Sequence, residues 1–304
     1  MSRPLDRPFL GVLLMLAFCA LAPVADAMAK VLGARMGLGQ LITVRFAVQA
    51  AVLVPLALAL GAEMRLTPRV LRLTALRTVL HVAGVAVFFQ ALRFLPLADA
   101  VAISFVMPFI MLLLGRYVLD EAVGARRMAA CAVGFAGTLM VIQPSFVSVG
   151  AAALLPLAAA VIFAFFMLVT RQIAREAEPV ALQAVSGVMA TAALAPAMLV
   201  GGALGWPEVS FEPLARADWA LLLAMGVFAS GVHLLMTWSL RFAPAATVAP
   251  LQYIEIPFAT AIGFVVFGAL PNALAAVGIV VTVAAGLYVI HRERRAAERA
   301  GQGR

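Results

Sequence analysis

The sequence predicts an all-α integral membrane protein of ten transmembrane helices, arranged as two inverted five-helix repeats. Three observations predict it. The 304 residues are 65% apolar and only 12% charged, with a mean hydropathy of +1.08, far above the roughly 45–50% apolar content of soluble domains. A stretch in the first half, "ALRFLPLADAVAISFVMPF", returns in the second as "SLRFAPAATVAPLQYIEIPF". The basic residues collect on alternate connections between apolar runs.

In the repeat, Leu92, Arg93, Phe94, Pro96 and Ala98 match Leu240, Arg241, Phe242, Pro244 and Ala246, a shift of 148. One inserted residue later, Pro108, Phe109 and Gly137 match Pro257, Phe258 and Gly286. A bilayer core of about 30 Å needs about 20 apolar residues per helix. Windows of that length give spans at 9–27, 40–61, 73–92, 97–117, 128–146, 149–170, 181–203, 218–240, 245–268 and 272–290. The two copies therefore lie in spans four and nine. Five crossings separate them, so they run in opposite directions. This divides the chain into 9–146 (helices 1–5), 149–290 (helices 6–10) and a basic cytoplasmic tail, 291–304.

With the amino terminus inside, sixteen of the 22 basic residues fall on the cytoplasmic side, and only Lys30, Arg35, Arg93 and Arg216 fall outside. That bias predicts a multi-pass protein of a bacterial-type inner (plasma) membrane with both termini cytoplasmic. The pI near 10.9 then reports topology rather than nucleic-acid binding. "FLGVLLMLAF" after Arg3 and Arg7 mimics a secretory signal; keeping it gives equal halves, whereas removing it leaves the sixth helix without a repeat partner.

The first span carries Asp26 and Lys30, four apart on one face, which either pair with each other or contact a substrate. Gln40 begins the second as a gate contact or an interfacial cap. Arg45, five or six residues further in, snorkels to the interface or faces a cavity within reach of Asp26. Arg77 and His81 lie one turn apart in the third span, where His81 either titrates or hydrogen-bonds a neighbouring helix. Asp99 is expected to cap the fourth span, and Pro108 to break it.

Glycines 134 and 137 in the fifth span serve packing or dimerisation equally, so the oligomeric state is not readable. Cys19 and Cys131 lie in apolar segments and are expected to pack. His233 and Trp238 mark the eighth span, Trp238 as an interfacial anchor or a cavity residue. The ninth holds Gln252, Tyr253 and Glu255 beside Pro257, the counterpart of Pro108. Glu255 sits near the midplane, where it either exchanges a proton or binds a cationic group, or is hydrogen-bonded to a neighbouring helix. Val106 or Met107 occupies its place in the first half, so such a site is asymmetric.

These motifs resemble the paired EamA domains of the drug/metabolite transporter superfamily: "ALRFLPLADAVAISFVMPFIMLLLGRYVLDEAV", "GFAGTLMVIQP" and "LRFAPAATVAPLQYIEIPFATAIGFVVFGALP". "ADAMAKVLGARMGLGQLITVRF" resembles the branch that includes S-adenosylmethionine and riboflavin transporters. The resemblance spans about residues 9–290. It implies a secondary transporter of a small organic metabolite, S-adenosylmethionine-, riboflavin- or amino-acid-like. The acidic residue before the final proline of "FGxxP" is kept as Glu121 in the first half but is Ala269 in the second.

Two inverted halves that exchange shapes give alternating access, with paired helix breaks marking the site. No catalytic residues, cofactor or metal set is expected, since CxxC, HExxH, GxSG and phosphate-binding glycine loops are absent. The expected partners are the small-molecule substrate, protons as a coupling ion, and membrane lipid. The rival readings are a membrane scaffold or assembly subunit, and a lipid-modifying enzyme.

Overall fold

The computed structural model describes residues 7–118 and 125–302. Among the described residues twelve α-helices follow in order, with 3-10 segments before α7, α9 and α11: α1 (Pro8–Gly33), α2 (Leu38–Ala59), α3 (Pro68–Leu92), α4 (Leu97–Ser104), α5 (Met107–Val118), α6 (Ala125–Val149), α7 (Leu155–Ile173), α8 (Pro179–Ala203), α9 (Arg216–Phe242), α10 (Ala245–Val248), α11 (Glu255–Phe267) and α12 (Ala273–Gln302). No strand occurs among the described residues. Glu121 lies outside them, as does the side chain of Cys131.

Local chemistry sets the boundaries. Proline begins α1, α3 and α8, where a missing N–H costs nothing. Thr67 accepts the N–H of Val70 at the start of α3, and the Glu178 carboxylate accepts those of Val180 and Ala181 at the start of α8. Gly150, at φ +62°, ends α6 and turns the chain into α7; Gly268, at φ +65°, ends α11. Helix α12 continues to Gln302, through the segment set apart above as a tail.

Seven helical stretches among the described residues are long and apolar enough to cross a membrane, one of them the 46-residue Met128–Ile173 that turns at Gly150. Leu251–Phe267 and Ala273–Tyr288 are shorter apolar helices. Val79, Val265 and Val280 are 65%, 79% and 67% exposed. Such an outward apolar surface suits lipid and not water.

Helices pair as α1 with α9, α2 with α8, α3 with α7 and α6 with α12. Small residues permit the closest approach, as expected where lipid removes the hydrophobic drive between helices. A Cβ on Gly278 of α12 would sit 2.5 Å from the Gly137 carbonyl of α6, and one on Gly134 3.0 Å from the Tyr253 hydroxyl. Gly134 and Gly137 are thus occupied by internal packing.

Asp99 does not cap α4. Pro96 holds the cap position, and Asp99 lies inside the first turn, buried, accepting a 3.1 Å bond from the Ser145 hydroxyl of α6. The preset backbone of the proline starts the helix a turn earlier than the aspartate would. Cys19 is buried in α1, its sulfur 3.7 Å from the Leu251 carbonyl. Trp238 packs with Leu53, Ala57 and Val180, away from the central cavity.

Candidate functional site

Two interrupted helices organise the centre of the bundle. Helix α4 stops at Ser104, Phe105 and Val106 form a turn, and α5 restarts with Pro108 as its second residue. In the second half, α10 gives way to a 3-10 run, Ala249–Ile254, and α11 begins at Glu255 with Pro257 third. Six residues is long for a 3-10 helix, whose bonding geometry is poorer. This run presents Gln252 inward and leaves Glu255 in the first turn of α11, where the helix dipole favours a negative charge.

Between these breaks lies a cavity of about 110 Å³, room for a small cluster of waters. Its polar lining is Asp26 of α1, Arg45 of α2, Ser104 of α4, His233 of α9, Gln252 and Glu255. Phe18, Phe88, Phe89, Phe105, Phe163 and Phe166 make the walls, with Met107, Met167, Met225 and Met236 filling between them.

The polar groups are largely uncommitted. Arg45 is 2% exposed, and its Nη1 has no hydrogen-bond partner; nor do His233 Nδ1 or Gln252 Oε1. Among the described residues Gln252 Nε2 reaches only the Met167 sulfur, at 3.4 Å. Asp26 and Arg45 interact electrostatically, as do Asp26 and Glu255, yet neither carboxylate makes an ion pair or hydrogen bond among the described residues. The Arg45 guanidinium lies 4.7 Å from the Phe46 ring centroid. Buried polar atoms are normally satisfied, so a concentration of unsatisfied ones around a cavity points to a ligand.

The remaining candidates are placed elsewhere. Lys30 turns from Asp26 and donates to the carbonyls of Leu92 and, at 2.6 Å, Leu95, closing the end of α3. Gln40 is anchored to the backbone of Glu212 by two 3.0 Å bonds. Tyr253 is buried beside the cavity, its ring 5.5 Å from that of Phe105 and against Gly286. His81 packs face to face on Phe166 at 4.6 Å and lies 4.5 Å from the His233 ring, with both ring nitrogens unpartnered.

Arg77 is fully buried and does not line the cavity. Its Nε donates to Thr170 Oγ1 at 2.9 Å, Nη1 to Ser186 Oγ at 2.8 Å and Nη2 to Thr237 Oγ1 at 3.5 Å. Three neutral hydroxyls hold this guanidinium, which rests 4.7 Å from the centroid of Phe166.

Ties cross the bundle at both ends. At one, Arg93 pairs with Glu208 at 2.9 Å and Arg35 with Asp218 at 2.6 Å. Arg93 and the Leu38 N–H, both donating to Glu208, hold its carboxyl below the usual range. At the other end Arg69 pairs with Glu176 at 2.6 Å, and Arg171 donates to the Leu240 carbonyl at 2.7 Å. The phenylalanine walls carry no distinguishing signal in the sequence, because a cavity phenylalanine and a core phenylalanine occur in the same apolar pattern. Among the described residues no cluster of three or more His, Cys, Asp or Glu is disposed to hold a metal ion.

The sequence profile of the EamA-like transporter family matches residues 9–143 and again 150–291. A "Riboflavin transporter" of Brucella anthropi is 28% identical over 73% of this chain and 77% of that one. An "S-adenosylmethionine uptake transporter" of Rickettsia bellii is 24% identical over 73% of each. A "Pseudopaline exporter" of Pseudomonas aeruginosa is 28% identical over 69% of this chain and 71% of that one. A crystal structure at 18% identity superposes with a TM-score of 0.66, covering 95% of this chain and 97% of the other, so the two share a fold.

Proposed function

The chain belongs to the EamA-like transporter family, and we propose that it is a secondary active transporter moving a small organic metabolite through the central cavity by alternating access. Its ten spans form two inverted five-helix halves with both termini cytoplasmic. The 46-residue stretch counts as two spans, divided at Gly150, and the interrupted α10–α11 segment counts as one. Exchanging the first five spans for the last five turns the α1–α9 pair into the α7–α3 pair, and returns α2–α8 and α6–α12 to themselves. All of these pairings occur, which supports an approximate two-fold relation. The arginine excess on alternate loops supports the orientation.

The observation that carries the reading is the cavity itself. Polar groups of both signs line it between two helix breaks, with Arg45 Nη1, His233 Nδ1 and Gln252 Oε1 unpartnered, where a midplane substrate site is expected in inverted-repeat carriers. On either side, ties join the first half to the second: Arg93–Glu208 and Arg35–Asp218 outside, the Arg77 cluster and Arg69–Glu176 inside. Alternating access requires each set to open in turn.

Within this reading Asp26, Arg45, Gln252 and Glu255 contact the substrate, and Glu255 exchanges the coupling proton. S-adenosylmethionine-, riboflavin- and amino-acid-like compounds are the substrate candidates, from the names of the relatives and the breadth of the superfamily. The test is flux of labelled S-adenosylmethionine, riboflavin and an amino-acid mixture into proteoliposomes, with and without a pH gradient. Saturable uptake of one compound is expected, and its pH-gradient dependence is expected to vanish in Glu255→Gln. Uptake of none, by correctly folded protein, refutes the transport reading; unchanged proton dependence in Glu255→Gln refutes the coupling role.

A further inference from the structure

A second cavity lies apart from the first. It measures about 370 Å³, against about 110 Å³ for the central one, and the two share no lining residue. Helices α2 and α3 divide them: Arg45, Val85 and Phe89 face the centre, whereas Ile42, Val82 and Ala86 face the second cavity. Helix α8 forms its third side, and the 3-10 segment Pro207–Val209 roofs one end.

That roof is fixed in place. A Cβ on Gly39 would sit 2.6 Å from the Glu208 carbonyl oxygen, and one on Gly201 would overlap the carbonyl oxygen of Val209, so only glycine lets the segment lie this close to α2 and α8. The Glu208 carboxylate accepts from the Leu38 N–H at 3.0 Å and from Arg93 at 2.9 Å.

Polarity changes along the cavity in one direction. Glu208 and Gln90 stand at the roofed end; deeper, Ala86 and Val82 follow on α3, Ile42 on α2 and Leu194 on α8. Gln90 and Val82 are two turns and more apart, a depth of about 12 Å, and among the described residues no other polar side chain lines the wall. Val79 continues the same face of α3 and is exposed, as are Ala193, Ala197 and Val200 along one face of α8. The cavity therefore opens sideways, towards hydrocarbon.

An apolar cavity of about 150 Å³ already takes up benzene or xenon, and a larger one bordered by lipid fills with what borders it. We propose that one acyl chain of a phospholipid occupies this cavity, with its headgroup at the Glu208 end. Arg93 is already engaged there, donating to the carbonyls of Gly33 and Met36 as well as to Glu208. The Glu208 side chain is 61% exposed, and its oxygens keep lone pairs for a further donor. An amine-bearing, zwitterionic headgroup suits this end better than an anionic one. The acyl chain wedges between α2 and α3 of the first half and α8 of the second. Resting on the two-half reading above, its occupancy holds this end of the bundle closed; the binding itself rests only on the membrane-facing wall.

The experiment is photo-crosslinking of the full chain in proteoliposomes of phosphatidylethanolamine and phosphatidylglycerol, with a diazirine in an acyl chain of one lipid or the other. Adducts are mapped by peptide mass spectrometry. The phosphatidylethanolamine probe is expected to label Ile42, which is only 4% exposed, and Ala86 at least as strongly as lipid-facing Val280, and about threefold or more above the phosphatidylglycerol probe. Labelled Val280 with unlabelled Ile42 and Ala86 overturns the site, and equal labelling by the two probes overturns the headgroup.

A second measurement uses delipidated protein in detergent. Added phosphatidylethanolamine is expected to raise the apparent melting temperature by about 3 °C or more in the wild type and in the control Val280→Phe. In Ala86→Phe and Ala197→Phe, whose rings fill the cavity, the rise is expected to vanish; an equal rise in either overturns the proposal. The crosslinking stands if both filled variants fail to fold. Flux separates the site from the transport reading: adducts in a protein that moves none of the tested compounds keep the lipid site alone, and flux without adducts at Ile42 and Ala86 keeps transport alone.

Discussion

Removing Arg77 is expected to cost less stability than removing the hydroxyls that hold it. In Arg77→Met an uncompensated buried charge disappears, and the aliphatic part of the side chain is largely replaced. Thr170 still donates to the Phe166 carbonyl at 2.7 Å, and Thr237 still donates to the His233 carbonyl at 2.8 Å while accepting from Gln183 at 3.0 Å. All three hydroxyls lose the bond from Arg77, and among them Ser186 alone is left with none to a described residue. The expected net change is within about 1–2 kcal/mol, since apolar replacement of buried charges is often neutral.

The double variant Thr170→Val with Ser186→Ala leaves the guanidinium in place without its two shortest bonds. Hydrogen bonds to a charged group contribute about 1.5–3 kcal/mol each, and stranding a buried charge costs about 3–5 kcal/mol. The expected loss is therefore about 3–5 kcal/mol, a fall of roughly 5–10 °C in apparent melting temperature. Thermal unfolding followed by loss of the monodisperse peak in detergent measures both variants. Arg77→Met falling as far as the double variant, or further, would refute the reasoning, because the guanidinium would then stabilise more than its solvation debt removes.

Glu208 supplies a pH prediction. Its folded-state pKa is depressed by Arg93 and by the Leu38 N–H, so its contribution is present above the unfolded carboxyl value of about 4.3 and is lost as pH falls through the lower folded value. Amide exchange at the start of α2 and in the 204–215 connection, corrected for intrinsic rates, is expected to rise on acidification through that window; in Glu208→Gln this step disappears. In Gly286→Val, the new Cβ lies 2.6 Å from that of Tyr253, so α12 must shift. The expected cost is about 1–3 kcal/mol, read as a lower melting temperature than for a valine at open Gly231.

Legibility followed the range of the physics. The membrane class, the helical content and the repeat are written in composition and spacing, because apolar length and proline position act locally and need no partner to be recognised. The interruptions could be placed from Pro108 and Pro257 for the same reason. The ionisable residues were equally visible, but not their roles. Asp26 and Lys30 are neighbours on one helix face by spacing, yet Lys30 turns to carbonyls 62 and 65 residues away. Arg45 had two open destinations, lipid interface or cavity; with its helix packed against α8 and α9, its side chain lines the cavity.

His81 and Arg77 share a face and a turn, but one stacks among aromatic rings while the other reaches three hydroxyls on α7, α8 and α9. The sequence by itself determined what kind of solvent surrounds the chain and where prolines interrupt its helices, but not every helix end: α1 runs on to Gly33 and α12 to Gln302. Only the tertiary structure decided which charges face the cavity and which are answered by backbone or hydroxyl partners, because a polar group's free energy in a membrane depends on groups from other helices, brought within about 3 Å by packing and unrelated to it by spacing.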